Sequence, residues 1–259
     1  MQIHTKHPRE LTDEERRAWC GLLDRYHQFH SPFFHPDYAC ELGAVRDQME
    51  VAVLLDSHSP VGFLPFERHR HRVGQPPGVK LCDFQGVVAA PETQWTAGEL
   101  MSGADLSVIH FDHLQNGQSP LAAFGLRSDL SPYLDLTEGY EAYLAERKRA
   151  GSGLISQTLR KRRKLERELG QVEFRWHEPE DEAWELLLQW KSAQRLRTQT
   201  FNILDLDWAR QFLNRLRQRQ TGSLQGALST LRVDGKLLAV HFGIHTAQTL
   251  HYWFPSYDS

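Results

Sequence analysis

The segment 224–255 constrains the fold most, because three strand-like runs follow one another there at short intervals. The runs span residues 224–233, 236–245 and 249–255, and Asp234-Gly235 separates the first two. Asp-Gly between two apolar runs is a strong signal for a two-residue hairpin turn. The pattern therefore predicts a three-stranded antiparallel meander.

Alternation gives the middle run, 237–245, two different faces. One set of alternate positions is large and apolar and should pack beneath helices: Leu238, Val240, Phe242 and Ile244. The other set is mostly small or ionisable: Leu237, Ala239, His241, Gly243 and His245. A glycine inside a strand often marks the close approach of a ligand or of another backbone. The second face is therefore a candidate functional surface.

The register of the next hairpin decides which side chains join His241. If His245 pairs with Thr249, then Trp253 lies opposite His241 and both share a face with His251. An imidazole titrates near neutral pH, which suits a proton-transfer role for His241 or His251. The alternative is a half-buried histidine that hydrogen-bonds a neighbouring strand or loop.

The patterns in the first half of the chain predict two helices followed mainly by strands. Thr12 with Glu15 three residues later predicts a capped helix start, and 36–42 predicts a second helix. Two runs joined by a polar turn, 49–55 and 61–66, predict an antiparallel hairpin. Further elements are expected as a strand at 84–89, a helix at 91–101 and a strand at 106–114.

The second half is richer in helical patterns. Residues 116–136 are rich in Gly, Ser and Pro and form the expected connection, with a short strand at 133–136. Four helices are predicted at 138–149, 154–169, 179–196 and 205–220, with a strand at 171–176 between the second and third. The order predicts an α/β (α+β) fold of two halves, 1–115 and 137–259, whose mixed, largely antiparallel sheets are flanked by helices.

Composition excludes several classes of protein. In 259 residues, 40% are apolar and the net charge is −3, which is normal for a globular domain and argues against a DNA-binding partner. Three cysteines without CxxC spacing indicate reduced thiols. The N-terminus lacks a signal-peptide core, and no apolar stretch is long enough for a transmembrane segment. A cytoplasmic location is expected.

A basic run, Arg160, Lys161, Arg162, Arg163 and Lys164, lies on the helix predicted at 154–169. It is a candidate docking face for an anionic ligand such as nucleotide phosphates, tRNA or an acidic glycan. The alternative is a solvated helix face, supported by i,i+4 pairs with glutamates.

Other chemistries find little support in the sequence. His69 and His71 alternate with arginines, which disfavour a cation, so no metal is expected. There is neither a GxSxG elbow nor a GxxxxGK[ST] loop, so a serine hydrolase or a P-loop enzyme has no support in the sequence.

Several segments together resemble a known family. They are Ser31-Pro32-Phe33-Phe34, Gly62-Phe63-Leu64-Pro65 in the hairpin, Leu81-Cys82-Asp83-Phe84, the segment 131–136, the basic helix through Gly170, and the meander through Tyr257-Asp258. In this arrangement the chain resembles the cellulose-biosynthesis-type acetyltransferases (CelD/BcsL-like) of the GNAT superfamily, which are distantly FemAB-like.

The resemblance implies two GNAT-like halves, of which the first is degenerate and the second carries the activity. It implies an acyl-CoA-dependent N- or O-acyltransferase in exopolysaccharide or cell-envelope biosynthesis. The cosubstrate would be acetyl-CoA or another acyl-CoA, and the acceptor a sugar, an amine or a polysaccharide precursor. A membrane-associated biosynthetic complex is an expected setting.

The resemblance also implies which residues form the site. The acyl-CoA would bind along Leu250, His251, Tyr252, Trp253 and Phe254, whose backbone amides face the thioester carbonyl. His241 would take the proton from the acceptor, and Tyr257 or Tyr252 would protonate the departing thiolate.

One departure from the family concerns the end of the sequence. The family continues with a glycine-containing loop and a helix that hold the CoA pyrophosphate, whereas no glycine follows Gly243 here. We therefore expect a truncated second half that lacks the pyrophosphate loop, either as a piece of a longer protein or as a form without CoA binding.

Two alternative functions stay open: a FemAB-like aminoacyl-tRNA-dependent transferase, and a non-catalytic module that binds an anionic polymer through 160–167.

Overall fold

The computed structural model describes residues 1–258 and has a mixed α/β architecture. The helices are α1 Asp13–Arg25, α2 Pro36–Gly43, α3 Ala97–Gly103, α4 Tyr140–Arg149, α5 Leu154–Leu169, α6 Asp181–Thr198 and α7 Asp207–Gln218. The strands are β1 Gln2–Lys6, β2 Met49–Asp56, β3 Ser59–His69, β4 Val73–Gln75, β5 Val88–Ala89, β6 Val108–Ile109, β7 Val172–Arg175, β8 Gln225–Val233, β9 Lys236–His245 and β10 Leu250–Tyr257.

The elements with the strongest sequence signals are confirmed. Thr12 caps α1 with a capping box, in which its hydroxyl accepts from the Glu15 amide and the Glu15 carboxylate accepts from the Thr12 amide. The hairpin β2–β3, the helix α5 and the meander β8–β9–β10 all form where the patterns predict them. The α/β fold class with largely antiparallel sheets and flanking helices is confirmed as well.

Several weaker predictions are wrong. The strands expected at 84–89 and 106–114 shrink to β5 and β6, of two residues each. Gly86 turns the chain at φ +146°, and the Gln85 side chain bonds the backbone of the 106–114 segment in place of a ladder. No strand forms at 133–136, where both faces of the segment are exposed and no described strand lies alongside. The strand β1 had no clear pattern and was not predicted.

The first sheet has the order β1-β2-β3-β4-β6, with β5 paired to β3. The pairs β1–β2, β2–β3 and β3–β4 are antiparallel, and β4–β6 is parallel. Trp19 of α1 stacks on Phe63 of β3 with a centroid separation of 4.8 Å, which anchors the helix on the sheet. Large rings of this kind contribute most of the apolar surface buried in such a core.

The second sheet is antiparallel throughout, with the order β10-β9-β8-β7. Val240, Phe242 and Ile244 are buried beneath α6 and α7, as the alternation predicts. The prediction for the start of β9 is wrong. Leu237 is buried in place of Leu238, because the β8–β9 register shifts between Leu231 and Arg232. Such a bulge moves side chains from one face of a strand to the other.

Helices and strands follow one another in the same order in the two halves of the chain. In the first half, β1, α1, α2, β2 and β3 follow one another, and β2 lies between β1 and β3 in the sheet. In the second half, β7, α6, α7, β8 and β9 follow in the same order, and β8 lies between β7 and β9. The division at residues 116–136 stays a prediction, but the repetition gives it a structural rationale.

Helices that occupy equivalent places in the repeat, α2 and α7, pack against each other. Tyr38 of α2 meets Phe212 of α7 edge to face at 5.1 Å, and both are buried. Arg219, just beyond α7, contacts the carboxylates of Asp37 and Glu41 at 2.5 and 2.7 Å. Buried residues of both halves belong to one continuous apolar cluster, so the halves share a core.

Candidate functional site

β10 lies at the edge of the second sheet and has an irregular register. Within residues 1–258 its outer side pairs with no other strand. The pairing runs from Leu250 with His245 to Tyr252 with Gly243, then shifts so that Phe254 pairs with Phe242. Trp253 is therefore the extra residue of a β-bulge. The register in which His245 pairs with Thr249 is wrong by one position, because Ala247 and Gln248 form the turn between Thr246 and Thr249.

The outer edge of β10 presents backbone groups that β9 does not use. The Thr246 amide donates to the Thr249 carbonyl at 3.0 Å, which fixes the phase of the ladder. Because hydrogen-bonded and non-hydrogen-bonded pairs alternate in an antiparallel ladder, the amides of Leu250 and Tyr252 point away from β9. This edge can therefore accept an extended ligand as an additional strand.

The corrected register changes which side chains share a face. Tyr252, not Trp253, joins His241 on the outer face, and the two rings stack with a centroid separation of 4.1 Å. His251 and Trp253 lie on the opposite face, where Phe33 of the first half contacts both rings. The expectation that His241, His251 and Trp253 share one face is therefore wrong, because it depended on the register.

Both ring nitrogens of His241 take part in hydrogen bonds. Nε2 lies 3.2 Å from the amide nitrogen of Trp253, and Nδ1 lies 3.2 Å from Oγ of Ser229. A backbone amide can only donate, so Nε2 is the acceptor and Nδ1 carries the ring proton. Burial lowers the pKa of His241 from 6.5 to about 4, with a smaller contribution from His251, so the ring is neutral at pH 7.

This geometry bears on the predicted role of His241 as a general base. Its acceptor nitrogen already binds the amide at the Trp253 bulge, so proton uptake would require that hydrogen bond to break. The ring instead holds the bulge in place, since an unpaired buried amide would cost about 1–3 kcal/mol. His241 as the base stays a prediction, and the structure adds this second role.

His251 has a different environment. It is the residue before Tyr252, and its ring points toward the first half of the chain. Nε2 lies 3.0 Å from Oδ2 of Asp83, in the segment between β4 and β5. Phe33 and Phe84 flank the ring edge to face, at centroid separations of 4.6 and 6.0 Å. The imidazole is thus fixed between a carboxylate and two aromatic rings.

The remaining predicted site residues are divided between the two faces and the edge. Phe254 is buried and packs on Trp253, whereas Leu250 and Tyr252 are exposed at the edge and the outer face. Tyr257 is also exposed, and it pairs with Ala239 on the outer face. The segment Leu250–Phe254 therefore offers its edge to solvent and its aromatic side chains to both faces.

The basic residues of α5 lie on a solvated helix. None of the residues in α5 is buried, and none of its charged groups contacts the β10 edge in a described hydrogen bond or ion pair. Arg162 pairs with Glu166 at 2.9 Å and Lys164 with Glu168 at 3.8 Å, both at i,i+4 spacing. No described residue between 122 and 177 is buried, so α5 belongs to an exposed segment.

A cleft of about 170 Å³, lined by both apolar and polar side chains, lies where the β9–β10 turn meets the first half. Its walls include Cys20, Asp24, His30, Ser31, His35 and Gln248. Burial lowers the pKa of His35, whose Nδ1 accepts from the Asp37 amide at the start of α2. Burial raises the pKa of Cys20, which disfavours a reactive thiolate.

Neither a metal-binding cluster nor a membrane-spanning helix occurs among the described residues. Within residues 1–258, no group of three or more histidine, cysteine or carboxylate side chains is placed to hold a metal ion. None of the described helices is both long and apolar enough to cross a bilayer.

Comparison with known families identifies the class of the second half. Residues 153–259 match the family model described as an acetyltransferase (GNAT) domain, and this range includes α5, α6, α7 and the whole second sheet. No curated protein and no solved structure matches the chain. The match supports an acyltransferase enzyme, and acyl-CoA is the cosubstrate that GNAT domains generally use.

Two features of the site were not found from the sequence. Asp83 lies 168 positions from His251, and no local spacing relates the two. The bulge at Trp253 has no glycine or other sequence mark. The pairing of Ser229 with His241 depends on a separate register shift between Leu231 and Arg232, which has no sequence mark either. The segment containing Asp83 was singled out only through the family resemblance.

The depressed pKa of His241 predicts a pH-dependent stability. The unfolded state binds a proton near pH 6.5 and the folded state only near pH 4, so stability is lost as the pH falls through that window. We expect the wild-type protein to lose about 2–3 kcal/mol more than His241→Gln between pH 7 and pH 4. Urea denaturation at several pH values measures this difference. Parallel curves of unfolding free energy against pH for the two proteins would contradict the lowered pKa of His241.

Proposed function

We propose that the chain is an acyl-CoA-dependent N- or O-acyltransferase whose acyl-pantetheine arm lies along the outer edge of β10. The observation that carries the proposal is the coincidence of the GNAT domain match with an unpaired, bulged edge strand. Pantetheine contains two amide groups and can pair with a strand edge in the manner of a peptide.

The residues of β10 fit the acyl-pantetheine arm. The outward amides of Leu250 and Tyr252 are donors for the carbonyl groups of the arm. At the bulge, the Trp253 amide is a donor that His241 now engages, and a thioester carbonyl is an equivalent acceptor. A backbone amide directed at an oxygen that gains negative charge is a strong catalytic device in acyl transfer. These β10 amides are matched only to the acyl-pantetheine arm of acyl-CoA.

The departing thiolate needs a proton, and two phenols are close to the strand. Tyr252 and Tyr257 are both exposed on the outer face of the sheet. Tyr252 is favoured because it lies next to the bulge and stacks on His241. We retain Tyr257 as the second candidate for this role.

For the acceptor, we propose a sugar, an amine or a polysaccharide precursor, in exopolysaccharide or cell-envelope synthesis of the CelD/BcsL-like or FemAB-like kind. The family resemblance supports this proposal. The cleft beside the β9–β10 turn supports it too, because its walls include hydroxyl, imidazole and amide side chains that can bind a hydroxylated ligand.

The edge-strand proposal predicts an effect of removing one amide. Leu250→Pro deletes the outward N–H and should leave the ladder intact, because proline is tolerated at a sheet edge whose N–H faces solvent. One hydrogen bond contributes about 0.5–1.5 kcal/mol, so we expect KM for acetyl-CoA to rise roughly 3- to 10-fold. Thiol release from acetyl-CoA in the presence of candidate acceptors measures the reaction.

Leu250→Ala is the matched control, because it shortens the same side chain and keeps the amide. An equal rise of KM in both variants would contradict a role for the amide. A wild-type protein that neither binds nor consumes acetyl-CoA would overturn the proposed function.

A second candidate function is docking of tRNA or another anionic polymer through α5. It is favoured by the exposure of Arg160, Lys161 and Arg163, for which no ion pair with a described carboxylate is found. Arg162 and Lys164 support it less, since their charges are partly neutralised within the helix. Such docking could supply an aminoacyl donor or hold a polymeric acceptor.

Charge reversal tests this candidate. Arg160→Glu combined with Arg163→Glu should abolish binding to tRNA or heparin, because the contact is electrostatic and screened over roughly 8 Å at physiological salt. Filter binding across a salt series measures the affinity. Reversal of Arg17 and Arg25 on α1 is the control with the same change in net charge. Binding that survives both the α5 reversal and high salt would rule out docking through α5.

A further inference from the structure

The hydrogen bond between His251 and Asp83 joins the proposed acyl-binding strand to the first half of the chain. His251 belongs to β10, next to the outward amide of Tyr252, and Asp83 lies in the segment between β4 and β5. Their side chains retain 19% and 37% of their exposure, so solvent and a ligand can reach the pair. The two residues approach each other only because the halves share a core.

The geometry fixes the tautomer of His251. A carboxylate oxygen at 3.0 Å from Nε2 accepts a hydrogen bond, so Nε2 carries the proton. No described residue within 1–258 hydrogen-bonds Nδ1, which therefore has a lone pair for a proton from another molecule. A carboxylate that orients an imidazole and stabilises its protonated form is the arrangement of a general base with its positioning group.

The aromatic rings add a second constraint. Phe33 and Phe84 meet the imidazole edge to face, and Phe33 is itself fixed against Tyr38 and Trp253. Rotation of the imidazole away from Asp83 would require the buried Phe33 ring and the half-buried Phe84 ring to move. Nδ1 is thus held in one orientation at the junction of the halves, which is the property expected of a positioned base.

His251 is better suited to this chemistry than His241 on the same sheet. The acceptor nitrogen of His241 is occupied by the Trp253 amide, whereas that of His251 is available. The two histidines also occupy opposite faces of β10. An acyl group on the strand edge would thus have His241 toward the outer face and His251 toward the first half.

We propose, resting on the acyltransferase function above, that His251 is the general base of the reaction and that Asp83 is its positioning residue. The attacking N–H or O–H of the acceptor gives its proton to Nδ1 of His251 as the new bond to the acyl carbon forms. The C–S bond then breaks, the thiolate of CoA takes a proton, and His251 returns its proton to solvent. The active site is assembled from both halves of the chain.

Among the described residues, one charged group contacts the His251 side chain. Asp83 is the charged group in contact with it, and His241 is neutral at pH 7. Tyr38 and Cys82 lie near Asp83, and burial raises the pKa of both, so they stay uncharged. The carboxylate of Asp83 therefore acts on the imidazole without a competing charge from these neighbours.

The test compares His251→Gln, Asp83→Asn and Asp83→Glu in the full chain. We expect His251→Gln to lower kcat roughly 100-fold or more, the usual contribution of a general base, with unchanged acetyl-CoA affinity. Asp83→Asn should lower kcat less and leave KM for acetyl-CoA unchanged, because the imidazole loses the carboxylate that orients it. Asp83→Glu should restore part of the rate.

Controls separate this role from simple support of the fold. His4→Gln, exposed on β1, and Asp47→Asn, on an exposed loop, should keep kcat and KM. Active wild-type enzyme together with an active His251→Gln variant of lowered Tm would overturn the proposal and leave the pair structural. Wild-type enzyme that transfers no acyl group would instead overturn the acyltransferase function, and the proposed base with it.

Discussion

The packing of Phe33 against β10 is the contact on which the rest of the structure depends. Phe33 belongs to the first half, is buried, and meets the rings of His251 and Trp253 in the second half. Because the neighbouring α2–α7 contact joins the same apolar cluster, the halves cannot separate without exposing it to water. This shared core fixes the first half against β10.

The architecture assigns different tasks to the two repeated halves. The second half supplies the sheet edge and the bulge, and it contains the match to a GNAT acetyltransferase domain. The first half contributes Asp83 and the aromatic wall that together orient His251. If His251 acts as we propose, the first half takes part in the chemistry through one carboxylate and its surrounding rings.

The sequence predicted the fold well where local signals agree with tertiary packing. The capping box at Thr12, the Asp234-Gly235 turn and the alternation from Val240 to Ile244 each act over a few residues, and each is confirmed. The site was predicted less well because it depends on register and on distant contacts. A shift of one residue and a bulge moved Tyr252 onto the face of His241, and the partnership of His251 with Asp83 has no local signature.

We propose that acyl-CoA binds along β10 at the junction of the halves. The most direct measurement is a titration of the ¹⁵N-labelled protein with acetyl-CoA, followed through assigned backbone amide resonances. If acyl-CoA binds there, the amide chemical shifts should change most at residues 250–253, and that of Asp83 should change clearly as well. Shifts confined to α5, or spread evenly without a maximum at β10, would contradict it.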